Sequence, residues 1–482
     1  MIHSIFENHK EILPVDYKNH YTENLEYAKN FFCDKILQLS PPEKEILYKK
    51  LTTSLLFDIR TIENDLDVQV VFETMNNRGK PLSTLEKLKN RLIYLTVNLP
   101  NEPEDKEKLR TKINDTWGIV YTWLAKNPNQ ILDEDEFLSA HLSLYRKPKE
   151  STFSEKAAEE KVFQMYCNKA EKLDGSPITY SKIEDYILKL AELAPIWYEI
   201  HNTDSKLIKR ILTMDSRKEI KIFLATIILS QIENKKDIFE NIEKILFRNS
   251  VPGIWLMDER TMANWARDIY LKERNVEDIL NETNNSIKSS PIVVTNIIDG
   301  FKNLFTYERG NKGFHRWGNL KYFLFEYEDC LKSKAQETND KVTLDDFGET
   351  TIEHIIPQNF EANWQNEINE VTHTMDDENQ IWQTRKVIIN TLGNLTILKN
   401  GKNSSLGDRN WSEKKERFST GSYNEIAISK CKYEQWNKSA IKERGIDMLK
   451  FLETKVIGLK FSDEDMAKIL FYEDYIIEQI NK

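Results

Sequence analysis

Through most of its middle, the chain repeats apolar residues every three or four positions. "YSKIEDYILKLAELAPIWYEI" (180–200), "EIKIFLATIILSQI" (219–232), "IFENIEKILF" (238–247), "MANWARDIYLKE" (262–273) and "VVTNIIDGFKNLF" (293–305) each carry one apolar stripe. That spacing predicts amphipathic helices, and with no fixed period between them it predicts a helical array, not a solenoid. Nearer the start, Ser40 followed by Pro41, Pro42 and Glu43 opens another helix,. "LLFDIRTIE" (55–63) alternates like a half-buried strand, and "DLDVQVVFETM" (65–75) returns to helical spacing,. A turn at Gly79 and Pro81 then leads to Ser83 and Glu86, the spacing of a capping box, which starts an apolar-striped helix,.

After "RWGNLKYFLFEYEDCL" (316–331) the pattern changes. "DKVTLDDFGETTIEHIIP" (340–357) is rich in β-branched residues, "VIINTLGNLTIL" (387–398) looks like a short β pair broken at Gly393, and "SEKKERF" (412–418) is helical again. The predicted fold is mainly α: a helical array with a small C-terminal α+β module. The polar connection "NLPNEPEDKEK" (98–108) and this change of texture divide the chain into 1–105, a helical domain 106–310 and the module 311–482.

Composition narrows the setting. The 482 residues are 40% hydrophobic and 30% charged, enough for two or three cores,. No uncharged run approaches the ~18 apolar residues of a membrane span, and "MIHSIFENHKEILPVDYKN" lacks the layout of a secretory signal, so a cytoplasmic protein without membrane contact is expected,. Cys33, Cys167, Cys330 and Cys431 are far apart and form no CxxC pair, which argues against a zinc ribbon or a disulfide framework,. The net charge of −10 argues against coating nucleic acid by global charge, but leaves room for a local basic groove,.

The chemistry concentrates in "ETTIEHIIPQNFEANW" (349–364) and "LGNLTILKNGKNSSLGDRNWSEKK" (392–415). Glu353 and His354 are adjacent in a β-like run, where each polar group must be hydrogen-bonded to leave water. With Asn394, Asn403 and Lys414 they make a set suited to cutting a phosphodiester. An imidazole can take a proton from water at neutral pH, and a carboxylate with an amide oxygen suits a hard cation such as Mg²⁺. Each residue also has an ordinary structural reading: a core histidine, a surface carboxylate, a turn asparagine. Their joint occurrence in this order favours catalysis. Residues 398–417 hold six basic side chains (Lys399, Lys402, Arg409, Lys414, Lys415, Arg417) against three acidic ones, either a mixed helix face or a DNA-backbone contact,. His373 has no ligand-like company and reads as a solvated loop residue.

The order E-H-I-I-P-Q, then G-N-L-T, then N and K resembles the HNH (ββα-metal, His-Me finger) nuclease domain that ends GmrSD-type, modification-dependent (type IV) restriction enzymes. "KYFLFEYE" upstream and "YEQWNKSAIKERGIDML" downstream are similar to that family's flanking helices, and "VFETMNNRGKPLSTLEKLKN" (71–90) resembles its nucleotide-handling half. The resemblance implies His354 as general base, Glu353 and Asn403 as ligands of Mg²⁺ or Mn²⁺, Asn394 as the residue fixing the histidine loop, and Lys414 as the group neutralising phosphate. Glu353 stands where many such nucleases carry aspartate. Beside this motif, Lys399, Lys402, Arg409 and Lys415 of the basic run read as candidate DNA-backbone contacts, and Arg78 and Lys80, at a helix N-terminus, as candidate phosphate or nucleotide contacts,. The family's D-G-Q-Q-R string does not occur here, so either that half is a separate NTP-binding polypeptide, or residues 1–105 are a remnant of the ParB/sulfiredoxin-like half that no longer hydrolyses nucleotide. The implied activity is metal-dependent cleavage of modified or phage DNA as a defence effector. Two rivals stay open: a non-catalytic regulatory or scaffold subunit, and a nuclease acting on RNA.

Overall fold

The computed structural model describes residues 20–56, 82–97, 99–166, 178–305, 312–373 and 375–471. These are mainly helical, with one two-stranded antiparallel sheet among them. Most of the strand expected at 55–63, the whole of the helix expected at 65–75 and the turn at Gly79 and Pro81 fall on residues outside the described ones, as do Arg78 and Lys80. No helix among the described residues is long and apolar enough to cross a membrane. The chain forms two compact units: residues 1–203, 221–231 and 262–274 make the first, and 204–220, 232–261 and 275–482 the second.

In the first unit the expected capping box is present. Ser83 N donates to Glu86 Oε2 (2.9 Å) and Glu86 N donates to Ser83 Oγ (3.1 Å) at the start of the helix Thr84–Val97. Asp135 adds to it by accepting from the Thr84 amide at 2.8 Å, a carboxylate at the positive end of a helix. The stripe Leu85, Leu88 and Leu92 is fully buried, and the Trp117 indole donates to the Leu85 carbonyl at 3.1 Å. His141 is also fully buried, its ring edge-on to those of Tyr145, Tyr186 and Tyr270.

The second unit holds the C-terminal module. Its elements, in chain order, are α1 (Leu320–Lys334), β1 (Thr350–His354), α2 (Gln365–Thr372), α3 (Glu378–Asn390), β2 (Leu395–Lys399), α4 (Asn400–Leu406), α5 (Trp411–Phe418), α6 (Tyr423–Ser429) and α7 (Lys438–Lys455). β1 and β2 pair antiparallel from Thr350↔Lys399 to His354↔Leu395, so the order strand, strand, helix runs through β1, β2 and α4. The β texture predicted around them is narrower in fact. Leu344–Glu349 is a 3₁₀ turn capped by Thr343 and Asp346, and the apolar run Val387-Ile388-Ile389 ends helix α3 instead of forming a strand. Asp377 starts that helix by accepting from the Asn379 amide, and a buried helical run carries the same apolar signature as a buried strand.

The turn Leu392–Asn394 enters β2, and α7 clamps it. A Cβ on Gly393 would meet the Ile441 carbonyl oxygen at 1.9 Å, so the helix backbone approaches closely enough to require glycine,. From the same helix, the buried Arg444 guanidinium donates to the carbonyls of Gly393 (2.9 Å) and Leu395 (2.7 Å). Upstream, the buried Glu328 carboxylate on α1 accepts from the amides of Tyr423 and Asn424, both at 2.6 Å, and so caps α6.

Candidate active site

β1 ends at His354, three residues before Pro357. The chain then turns onto Asn394. The Asn394 carbonyl accepts from the Ile355 amide (2.9 Å), and its side-chain Oδ1 accepts from the Ile356 amide (2.9 Å) and the Trp436 indole (3.2 Å). Its Nδ2 donates to the carbonyls of Ile356 (3.0 Å) and Ile389 (2.8 Å). One buried amide thereby ties the end of β1, the end of α3 and the segment before α7 to the turn into β2.

Strand alternation sends Glu353 and His354 to opposite faces, and their partners agree. Glu353 faces α5, where Lys414 Nζ lies 3.0 Å from Oε1. That ammonium also donates to the carbonyls of Ile355 (3.1 Å) and His354 (3.4 Å), and the side chain is 0% exposed. Burial is the largest influence on both groups: it raises the Glu353 carboxyl against the pull of Lys414, and lowers the Lys414 ammonium against the pull of Glu353. Asn403, on α4, donates from Nδ2 to Thr351 Oγ1 at 2.7 Å. Thr351 is two residues from Glu353 and so lies on the same face of the strand.

On the other face, His354 is buried and its Nε2 lies 3.0 Å from Asn390 Oδ1 at the end of α3. The Asn390 amide is oriented by its second bond, from Nδ2 to the Lys386 carbonyl (2.9 Å). Its oxygen therefore faces the imidazole, Nε2 carries the proton, and Nδ1 keeps its lone pair. Burial pushes the His354 pKa down to about 4, with the Asn390 bond opposing and His315 and Lys414 adding to the fall. The His315 ring stacks on it at 5.3 Å and 14°. Neither Asn390 nor His315 stood out in the sequence. Asn390 sits four residues before Asn394, in a run whose apolar texture reads as strand and hides its helical spacing.

The basic side chains expected to meet DNA have protein partners. Lys399 pairs with Asp346 (3.2 Å), Lys402 with Glu425, and Arg409 with Glu413 (2.9 Å). Lys415 donates to the Cys431 carbonyl (3.4 Å) and lies 5.7 Å from the Trp411 ring centre. His373 is exposed and bonds only locally, through Nδ1 to the Glu370 carbonyl.

The donor set suits a hard cation that keeps most of its water. Glu353 offers a carboxylate and Asn403 an amide oxygen, and no group of three or more His, Cys, Asp or Glu that could hold a metal is present among the described residues. Mg²⁺ is commonly held through one or two carboxylates plus waters and phosphate, so a sparse set of this kind fits it.

Compared with known protein families, residues 296–451 match the C-terminal domain of the GmrSD restriction endonucleases. No curated protein and no solved structure matches the chain. The matched span contains β1, β2, α4 and α5 and most of α7, and with it every side chain of the site just described.

Proposed function

We propose that this chain, which carries a GmrSD-type C-terminal domain of the restriction-endonuclease kind, hydrolyses DNA phosphodiester bonds as a defence effector, with His354 as general base. The observation that carries this reading is the bond from His354 Nε2 to Asn390 Oδ1. It fixes the tautomer, with Nε2 protonated and Nδ1 as acceptor, while burial keeps the ring neutral, the form that takes a proton from an attacking water,. Glu353 and Asn403 would hold Mg²⁺ or Mn²⁺. When bound, the ion would stabilise charge on the phosphate and the leaving oxygen. In-line displacement puts the attacking and leaving oxygens on opposite sides of phosphorus, which suits a base and a metal-holding carboxylate on opposite faces of one strand end.

Lys414 serves this arrangement from inside the protein. Its three bonds hold Glu353 and the backbone after β1 in place, and its full burial leaves it no surface for a phosphate. Asn394 fixes the histidine loop through three hydrogen bonds, one to Ile355 and two to Ile356. The wider reading keeps a separate NTP-binding subunit as partner, with Arg78 and Lys80 as its phosphate contacts. It also keeps the division into a nucleotide-handling remnant (1–105), a helical domain (106–310) and a nuclease domain (311–482).

Nicking of supercoiled plasmid by the purified full chain tests the proposal, with Mg²⁺, with Mn²⁺ and with chelator, beside a matched RNA. General-base catalysis contributes roughly 10²- to 10⁴-fold, so His354→Ala should lower the rate by about that factor with DNA affinity retained. Wild-type protein that leaves DNA intact while cutting RNA makes the substrate RNA. Protein that cuts neither points to a non-catalytic subunit. A His354→Ala variant that cuts at the wild-type rate removes His354 from the chemistry.

A further inference from the structure

Helix α3 does more than present Asn390. Trp382 and Lys386 stand one and two turns after its start, at four-residue spacing, and Asn390 follows one turn later against His354. Trp382 is 44% exposed, an unusual position for a large indole this close to a buried catalytic centre. Lys386 Nζ lies 5.6 Å from the centre of that ring, and no carboxylate pairs with it among the described residues. The contrast with Lys399, Lys402, Arg409 and Lys414 is sharp, since an acid already neutralises each of those. Neighbouring Arg385 stacks over Phe360 at 5.6 Å. The acidic side chains on this helix start, Asp377 and Glu378, lie a turn before the tryptophan.

We propose that α3 is the substrate-strand guide of this nuclease: Trp382 stacks on an unstacked base of the DNA strand being cut, and Lys386 holds an adjacent phosphate. This rests on the nuclease reading above. A flat aromatic face accepts any base, and a cation beside it takes the backbone, the pairing by which proteins hold single strands. At 1.5 Å per residue, the eight residues from Trp382 to Asn390 span about 12 Å along the helix. At a duplex spacing of about 3.4 Å per nucleotide this puts the stacked base roughly three to four nucleotides from the scissile phosphate.

Full-length protein is assayed with Ca²⁺ in place of Mg²⁺, using fluorescence anisotropy of labelled DNA whose cut position has been mapped from wild-type products. One base stacked on an aromatic side chain contributes roughly 5- to 150-fold in affinity. Trp382→Ala should weaken binding within that range, and Trp382→Phe should retain most of it. Removing the single base three or four nucleotides from the cut should weaken wild-type binding by a similar factor and leave Trp382→Ala binding unchanged, because the two changes delete one contact. Lys386→Gln should lower the salt slope of binding by about 0.7 to 0.9, while Lys402→Gln leaves it unchanged. The guide is overturned if wild-type protein cuts DNA and Trp382→Ala binds as tightly as wild type, or if the abasic and Trp382→Ala effects multiply. Loss confined to RNA overturns the DNA assignment. Wild-type protein that neither binds nor cuts DNA overturns the nuclease reading itself, and the guide with it.

Discussion

Replacing Lys414 by Met keeps the length of the side chain and removes its charge. The ammonium has three partners, Glu353 Oε1 at 3.0 Å and the carbonyls of Ile355 and His354 at 3.1 and 3.4 Å, and no exposed surface. Its loss leaves a carboxylate with 13% exposure uncompensated. Removing one partner of a buried ion pair costs about 3–5 kcal/mol, whereas replacing both by apolar groups of similar volume is often close to neutral. The Glu353 and Lys414 shifts have the matching sign: burial penalises each charged form more than the partner recovers. Lys414→Met should therefore be strongly destabilising, and Lys414→Met with Glu353→Met should regain most of the loss. Urea unfolding with hydrogen exchange as the readout follows residues 350–356 and 395–399 directly. At a slope of roughly 1–3 kcal/mol per molar urea, the single variant should lower the midpoint of these segments by about 1 M or more. A shift below about 0.3 M would show that Lys414 is not committed to the pair, and would return it to the substrate side of the site.

Two further outcomes follow from the same packing. Gly393→Ala forces a methyl group against the Ile441 carbonyl, so α7 must back away from the turn; overpacking of this kind costs about 1–3 kcal/mol, and the melting temperature should fall by several degrees together with DNA cleavage, an unchanged melt refuting the close approach. His141, fully buried, has its pKa pushed down to about 3 by desolvation, below the roughly 6.5 of an unfolded chain. The unfolded state then binds a proton that the folded state refuses, so stability is full above pH 6.5 and falls on acidification toward 3, by up to about 1.4 kcal/mol per pH unit. His141→Phe should flatten the pH dependence of exchange in the helix Glu134–Ser143 between pH 7 and 5, and an unaltered slope would show that the imidazole already finds its proton in the fold.

The parts legible in the sequence are those written locally. Helical spacing located the amphipathic segments, and Ser83 with Glu86 announced a capping box that forms as expected. The order of Glu353, His354, Asn394 and Asn403 anticipated a strand, strand, helix unit. Hidden features depend on contacts between distant positions. Asn390 and His354 are 36 residues apart, and nothing in the helical run Val387–Ile389 shows that its next residue orients an imidazole. The basic run 398–417 misleads for the same reason: its acid partners Asp346 and Glu425 lie outside it. Side-chain counting along one segment cannot see charges neutralised from elsewhere.

The distance between the two strands also bears on how the protein comes into being. Forty residues, 355–394, separate His354 from its partner Leu395, so the hairpin closes only against the entropy of a long loop. What holds it shut comes later still: Trp436 and Arg444, which grip Asn394, Gly393 and Leu395, are among the last parts of the module to leave the ribosome. A growing chain that has already exposed His354 therefore lacks the clamp that assembles the site around it. Under the proposed nuclease function, this order of synthesis would keep the site unassembled until the module is nearly complete. Fragments released before α7, whether by premature termination or by proteolysis, would carry Glu353, His354 and Asn394 without the helix that holds the turn into β2 in place.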